Sequence, residues 1–319
     1  MIQFNKDILV PVDFKQPSIN AIRMALKMAP FVNGKVHLLH VIPVGGILSE
    51  LLESKSQVVN MTTSAMEKLN HLNDLYFGPS GIDTTVKVEP GKPYRKILEY
   101  AASIDPSIIL IGDNDQIIDD YKILGSTNTH IITHSRWPVI TFKGEKPTPP
   151  SRIVLPVDLS GQSQIQLCNA IAMAKHYEST IYLVSVVIGG ISARESRIYK
   201  IMKQFQSTIR KNKIPCEIKL YKRSNIDIYQ RIIEYANEIS ADLIMIMTHQ
   251  ESTTHDNFIG AVAHHVINEA SMPVLSLTFR AAFYEPDQIL SFVDPLNVFS
   301  GDVRRSRKTG LFDRMFRKE

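Results

Sequence analysis

Residues 8–14 read ILVPVDF, and residues 153–159 read IVLPVDL. An apolar, largely β-branched run closed by Pro and Asp reads as a strand buried on both faces and ending in a turn. Its return 145 residues later signals an internal duplication. The match extends outward from that strand. VHLLHVIP at 36–43 against IYLVSVVI at 181–188 keeps the offset of 145. KILEYA at 96–101 against RIIEYA at 231–236 lies at 135. So do SIILIG at 107–112 against LIMIM at 243–247, Gly125 against Gly260, and WPVITF at 137–142 against MPVLSL at 272–277. A single ten-residue deletion between 189 and 226 reconciles the two offsets.

Each copy alternates strand and helix. After the first strand, Ile19, Ile22, Leu26 and Ala29 form one stripe of a helix over 18–32. A strand follows at 36–42, then a long helix over 47–77 with Met66, Leu69, Leu72 and Tyr76 at helical spacing. Strands at 84–89, 107–111 and 138–142 enclose helices at 93–103 and from Ser126. The second copy repeats the order with a shorter second helix, striped by Ile198, Met202, Phe205 and Ile209. Such alternation implies right-handed crossovers and a parallel sheet, an α/β class. Between the copies, KGEKPTPPSR at 143–152 holds Pro147, Pro149 and Pro150 and reads as a stiff, exposed linker. The expected division is 1–143 and 151–279 as domains, 144–150 as linker and 280–319 as a basic extension.

The 319 residues suit two domains, and 44% hydrophobic with 21% charged residues is a globular composition that excludes disorder for most of the chain. Two cysteines, Cys168 and Cys216, exclude a disulfide framework and a four-cysteine zinc site. The N-terminus lacks the pattern of a signal peptide, and no apolar run has the length of a membrane span, so a cytoplasmic address is expected. Net charge is +4. Residues 299–319 carry Arg304, Arg305, Arg307, Lys308, Arg314, Arg317 and Lys318 against Asp302, Asp313 and Glu319, which accounts for all of it. The body balances, so attraction to a polyanion is expected only at the tail.

In an open parallel sheet, ligands gather beyond the carboxyl ends of the strands where strand order reverses. Pro11 and Asp13, Val41, and the loop from Gly112 to Gly125 meet there in the first copy; Pro156 and Asp158, Val186, and the loop from Met247 to Gly260 do so in the second. The first loop, Gly112, Asp115, Gly125 and Ser126, resembles the G-x2-G-x9-G-[ST] phosphate loop of the universal stress protein family, with Asp115 at the second glycine. The start ILVPVDF and the late Pro138-Val139 are similar to that family too, over both copies. The resemblance implies two Rossmann-like domains, of the flavodoxin or adenine-nucleotide-alpha-hydrolase kind. Each would be a five-stranded parallel sheet with helices on both faces. It also implies an adenine nucleotide at the switch point: adenine near Pro11, Asp13 and Val41, phosphates on Gly112, Gly125 and Ser126. The second-domain counterparts are Pro156, Asp158, Val186 and Gly260.

The departures weaken that expectation. A phosphate cradle closes backbone N–H groups on the anion ahead of a helix N-terminus. Asp115 sets a carboxylate there instead, at up to ~4 kcal/mol per like-charge contact at about 4 Å and an effective dielectric near 20. Met247, Gln250 and Ala261 replace the second loop's other family residues, leaving Gly260. Asp13 and Asp158 also suit plain turn hydrogen bonds, and Ser160 or Ser163 a helix cap. His130 and His134, four apart on a helix, lack a third metal ligand; His37 and His40 point to opposite faces of a strand. No catalytic group and no metal is expected, and no cofactor is required; ATP or another adenine nucleotide remains an option for the first domain.

In the tail, Leu311, Phe312, Met315 and Phe316 among the arginines fit a short basic amphipathic helix, a docking element for a protein, an RNA or an anionic membrane. The final strands, 138–142 and 273–277, are placed to pair within the chain as a pseudo-dimer, with a homodimer of whole chains as a further expectation. The function expected is a stress-response binding or regulatory module acting on a protein partner, with nucleotide binding weak or lost. The alternatives are a slow ATPase or nucleotidyl transferase, and a scaffold docking through its basic tail.

Overall fold

The computed structural model describes residues 7–32, 34–44, 55–113, 116–118, 121–123, 125–143, 148–159, 163–187, 196–222, 224–248 and 260–278. Asp115 and the tail, including Arg304, Arg305, Arg307, Lys308, Leu311, Phe312, Met315 and Phe316, lie outside them.

The first half runs β1 (Ile8–Pro11), α1 (Gln16–Val32), β2 (Val36–Pro43), α2 (Lys55–Phe77), β3 (Thr84–Gly91), α3 (Pro93–Ile104) and β4 (Ile108–Gly112). A small hairpin, β5 (Gln116–Ile118) and β6 (Tyr121–Ile123), precedes α4 (Ser126–His134) and β7 (Val139–Phe142). The second half has β8 (Arg152–Pro156), α5 (Ser163–Tyr177), β9 (Thr180–Val186), α6 (Arg197–Lys211), β10 (Cys216–Tyr221), α7 (Ile228–Glu238), β11 (Leu243–Met247), α8 (Ala261–Glu269) and β12 (Val274–Leu277).

Among the described residues, ten strands form one sheet in the order β10-β9-β8-β11-β12-β7-β4-β1-β2-β3. All neighbours are parallel except β12 and β7. Each half is therefore a five-stranded parallel, Rossmann-like unit, reversing direction of strand order between β1 and β4, or β8 and β11. The inner strands are apolar on both sides because helices cover both, whereas the edge strands β3 and β10 carry Lys87 and Glu89, and Glu217 and Lys219. One layer packs Ile22, Met28 and Leu69 of α1 and α2, and Leu167, Ile171, Met202 and Phe205 of α5 and α6, on Ile8, Val10, Ile153 and Leu155. The other packs Ile97, Ile131, Ile232 and Val266 of α3, α4, α7 and α8 on Leu9, Ile109, Val154 and Ile244.

The duplication is retained down to register. Ile8 pairs with Val36 as Ile153 pairs with Ile181, and Ile109 pairs with Val139 as Ile244 pairs with Val274. One detail differs from the sequence reading. Val36 pairs with Thr84 and Ile181 with Cys216, so the third strands sit at an offset of 132. The net ten-residue difference is thus a thirteen-residue deletion ahead of β10 and a three-residue insertion between β10 and α7.

The halves meet along β7 and β12, antiparallel and symmetric about Ile140 opposite Leu275. Lys143, buried at the end of β7, donates to the carbonyl of Asn268 on α8, while Asn20 Nδ2 of α1 donates to the Lys143 carbonyl at 3.0 Å. A void of about 10 Å³ among Met24, Met28, Ile140 and Met173 holds at most one water, so the joint is close-packed. Of the linker, Thr148 and Pro149 are exposed, but Pro150 is buried, with its carbonyl accepting the Ser179 hydroxyl. The expectation of a wholly exposed linker fails there, because that bond draws the chain onto the second half.

Candidate functional site

In the first half, β1 delivers Pro11 in register with Leu39 of β2. Val12 continues the ladder, its N–H donating to the Leu39 carbonyl at 2.8 Å. Its own carbonyl accepts His40 Nδ1 at 2.6 Å, which assigns the proton of that imidazole to Nδ1, since a carbonyl only accepts. The His40 ring lies 4.5 Å from that of Phe14, which holds φ at +65°. Asp13 is exposed, and its Oδ1 accepts the Lys15 N–H at 3.0 Å while Ser18 Oγ donates to the Lys15 carbonyl at 2.9 Å. The carboxylate thus serves the turn that starts α1, an Asx arrangement. Val41 is buried in the α3 layer. An open cleft of about 430 Å³ adjoins the turn, lined by Phe14, Ile19, Glu67, Lys68, His71 and Leu72.

Gly112 ends β4, and a close approach explains it. A Cβ there would lie 2.5 Å from the Pro17 carbonyl carbon and 2.7 Å from Ser18 Cα, and would strike the Ser18 nitrogen. All three are backbone, so only glycine lets the first turn of α1 settle on the end of β4. Asp113 beyond it is buried, its N–H on the Phe142 carbonyl at 2.7 Å. Asn128 Nδ2 bridges the Gly112 carbonyl at 3.0 Å and Asp113 Oδ1 at 3.2 Å, tying α4 to β4. The loop toward Gly125 is partly folded as the β5–β6 hairpin, and β6 packs against α8 of the other half. Gly125 caps α4 at φ −57°, ψ 144°, with open space where a Cβ would go, and Ser126 is exposed. A helix N-terminus of this kind is the setting that favours an anion.

The second half repeats the frame and changes its contents. Pro156 is in register with Val184, and the Val157 carbonyl accepts Ser185 Oγ at 2.6 Å. Ser185 is His40 shifted by 145, a hydroxyl doing the work of an imidazole. Asp158 Oδ1 accepts Ser163 Oγ at 2.8 Å. Ser163 gives its proton to the turn as the first residue of α5, and Ser160 lies outside the described residues. Val186 closes β9 opposite Tyr221. Met247 occupies the position of Gly112 and, partly buried, packs against the core layer that holds Leu167 and Ile171 of α5. Thr248 is buried, with both N–H and Oγ1 on the Leu277 carbonyl, at 2.9 and 3.1 Å. Gly260 repeats φ −57°, ψ 144°, and its N–H donates to the Thr248 carbonyl at 2.9 Å.

The histidines settle onto helices. His130 stacks on Tyr94 at 4.4 Å and His265 on Tyr229 at 4.3 Å, the same pair in both copies, which the sequence reading missed although both residues recur at 135. His134 Nδ1 donates to the His130 carbonyl at 2.9 Å, and His265 pairs with Glu269 at 2.9 Å. His37 and His40 do face opposite ways: His37 joins Tyr100 Oη at 2.9 Å and Asp7 at 3.0 Å. Among the described residues, no group of three or more His, Cys, Asp or Glu is placed to hold a metal. Nor is any described helix long and apolar enough to cross a membrane.

Comparison with known proteins bears on the same residues. A universal stress protein of Methanocaldococcus jannaschii is 22% identical over 152 residues, covering 44% of this chain and 84% of its own. The crystal structure of a universal stress protein from Archaeoglobus fulgidus DSM 4304 superposes with a TM-score of 0.69 at 17% identity, covering 86% of this chain and 97% of that one, a likeness of fold. An Archaeoglobus fulgidus universal stress protein solved in complex with dAMP is 22% identical and covers 44% of this chain and all of its own, at a TM-score of 0.34, too partial to speak for ligands here. The profile of the universal stress protein family matches residues 5–143 and 221–277, more than half of the chain; the second match takes in Met247 and Gly260 but stops short of Pro156, Asp158 and Val186. The chain belongs to the universal stress protein family.

Proposed function

We propose that this chain is a stress-response binding and regulatory module rather than a nucleotide-consuming enzyme. Nucleotide binding would be weak in the first half and lost in the second. The observation that carries the reading is the backbone contact at Gly112. That glycine is needed to seat α1, so its retention is no sign of a working phosphate cradle. In the second half a methionine packed on the core, Met247, stands where the first half has that glycine, which supports the loss there. The open N-terminus of α4 at Gly125 supports a residual place for an anion in the first half. The expected output is contact with a protein partner.

Isothermal titration of ATP into the full chain tests this. Expected is weak binding at no more than one site per chain, with no phosphate release on incubation with magnesium. Two tight sites, or steady ATP turnover, would reverse the reading in favour of the ATPase or nucleotidyl-transfer alternative.

A further inference from the structure

From Ser196 to Cys216 the chain carries Arg197, Lys200, Lys203, Arg210, Lys211 and Lys213 and no acidic residue. All six are exposed, along with Gln204 and Ser207 between them. The opposite side of α6, with Ile198, Met202, Phe205 and Ile209, is buried in the core. The balanced charge of the body thus conceals a single-sign stripe. Over Arg197–Lys211 the helix rises about 21 Å. The ion pairs of the second half among the described residues are Arg152–Asp242, Lys219–Glu238, Arg231–Glu234 and His265–Glu269, none of them on α6. Lys203 instead donates to Gln206 Oε1 at 3.0 Å, and Arg210 to the Cys216 carbonyl at 3.0 Å. Glu217, the next carboxylate along the chain, acts on Tyr235 on the other face of the sheet.

The fold does not call for this arrangement. Arg197 and Lys200 sit in the first turn, against the helix dipole, and cations three apart repel. α2, the counterpart in the first half, holds Glu67 and Asp74 beside Lys55 and Lys68. We propose that the outer face of α6 is a docking surface for the phosphate backbone of single-stranded nucleic acid. Along a stacked strand, about six phosphates fall within the length of the stripe. Tyr199 lies half-exposed at its border with Lys203 Nζ 5.6 Å from the ring centre, an aromatic face among cations that suits a stacked base. A membrane is the poorer fit: the apolar face of α6 is spent on the core, and no large apolar side chain is exposed on the outer one.

The test is fluorescence anisotropy of a labelled single-stranded oligonucleotide with the full chain across a salt series. The wild type is compared with K200E/K203E/K211E and with Tyr199→Leu, each checked for an unchanged melt. The tail charges are present throughout. Expected is salt-dependent binding whose log–log slope falls by ~2 in the triple variant, at about 0.7 per lost contact on single strands. Tyr199→Leu is expected to weaken binding roughly tenfold without changing the slope. Absence of binding, a triple variant with the wild-type slope, or capture by phosphatidylserine vesicles and not by the oligonucleotide would each overturn the proposal.

Discussion

Substituting Gly112 by alanine separates packing from ligand binding. The added methyl would meet the backbone of Pro17 and Ser18 at 2.5–2.7 Å, about an ångström inside ordinary contact. Neither atom belongs to a flexible side chain, so relief requires the first turn of α1 to lift from β4. Overpacking of this kind costs roughly 1–3 kcal/mol. For a unit of about 150 residues that lowers the melting temperature by roughly 2–12 °C, at 2–4 °C per kcal/mol. Trp137, the single tryptophan, is buried in the first half and reports on that half's unfolding. Fluorescence melts of wild type and Gly112→Ala, both without nucleotide, make the comparison. An unchanged melt together with a loss of ATP affinity would refute the packing account and return Gly112 to the role of phosphate glycine.

Three further outcomes are expected. Burial pushes the Cys168 and Cys216 thiols from 9.0 up to about 12, and Tyr177 and Tyr235 from 10.0 up to about 12. The folded chain therefore keeps protons that the unfolded chain gives up. Stability should be fully present below about pH 9 and be lost as pH climbs toward about 12; melts in reductant would follow it, and a decline already under way near neutrality would contradict it. Ser276 Oγ is buried and has no hydrogen-bond partner among the described residues, whereas Thr141, its counterpart in the first copy, donates to the Val274 carbonyl at 3.3 Å. Urea titrations should find Ser276→Ala neutral or stabilising and Thr141→Val destabilising by about 1 kcal/mol; equal losses in both would count against that asymmetry. Ser185→Ala strips the Val157 carbonyl of its partner and should cost about 1–3 kcal/mol in the same assay, with Ser185→Thr restoring part of it.

The inner strands were legible because both their faces are buried: the same apolar runs recur in both copies and pair in the same register. The α2 and α6 stripes were legible for a like reason. What the sequence hid is non-local or chemically disguised. The pressure on Gly112 comes from Ser18, more than ninety residues away. His40 and Ser185 do one job with unlike side chains, so a search for identity passes over them. The antiparallel pair β5 and β6 rests on strands of three residues, too short to carry a period. Charge summed over the whole body averaged away the stripe on α6.

The β7–β12 joint is symmetric about Ile140 and Leu275, yet a single polypeptide supplies both sides. Identical subunits meeting on such an axis would receive every substitution twice. Covalent fusion removes that coupling: one copy can drift while its twin holds the shared scaffold. Methionine in place of glycine at the end of β11, and a helix whose charged residues are all cations in place of a mixed one, are changes that a twofold of separate chains would have had to tolerate in duplicate.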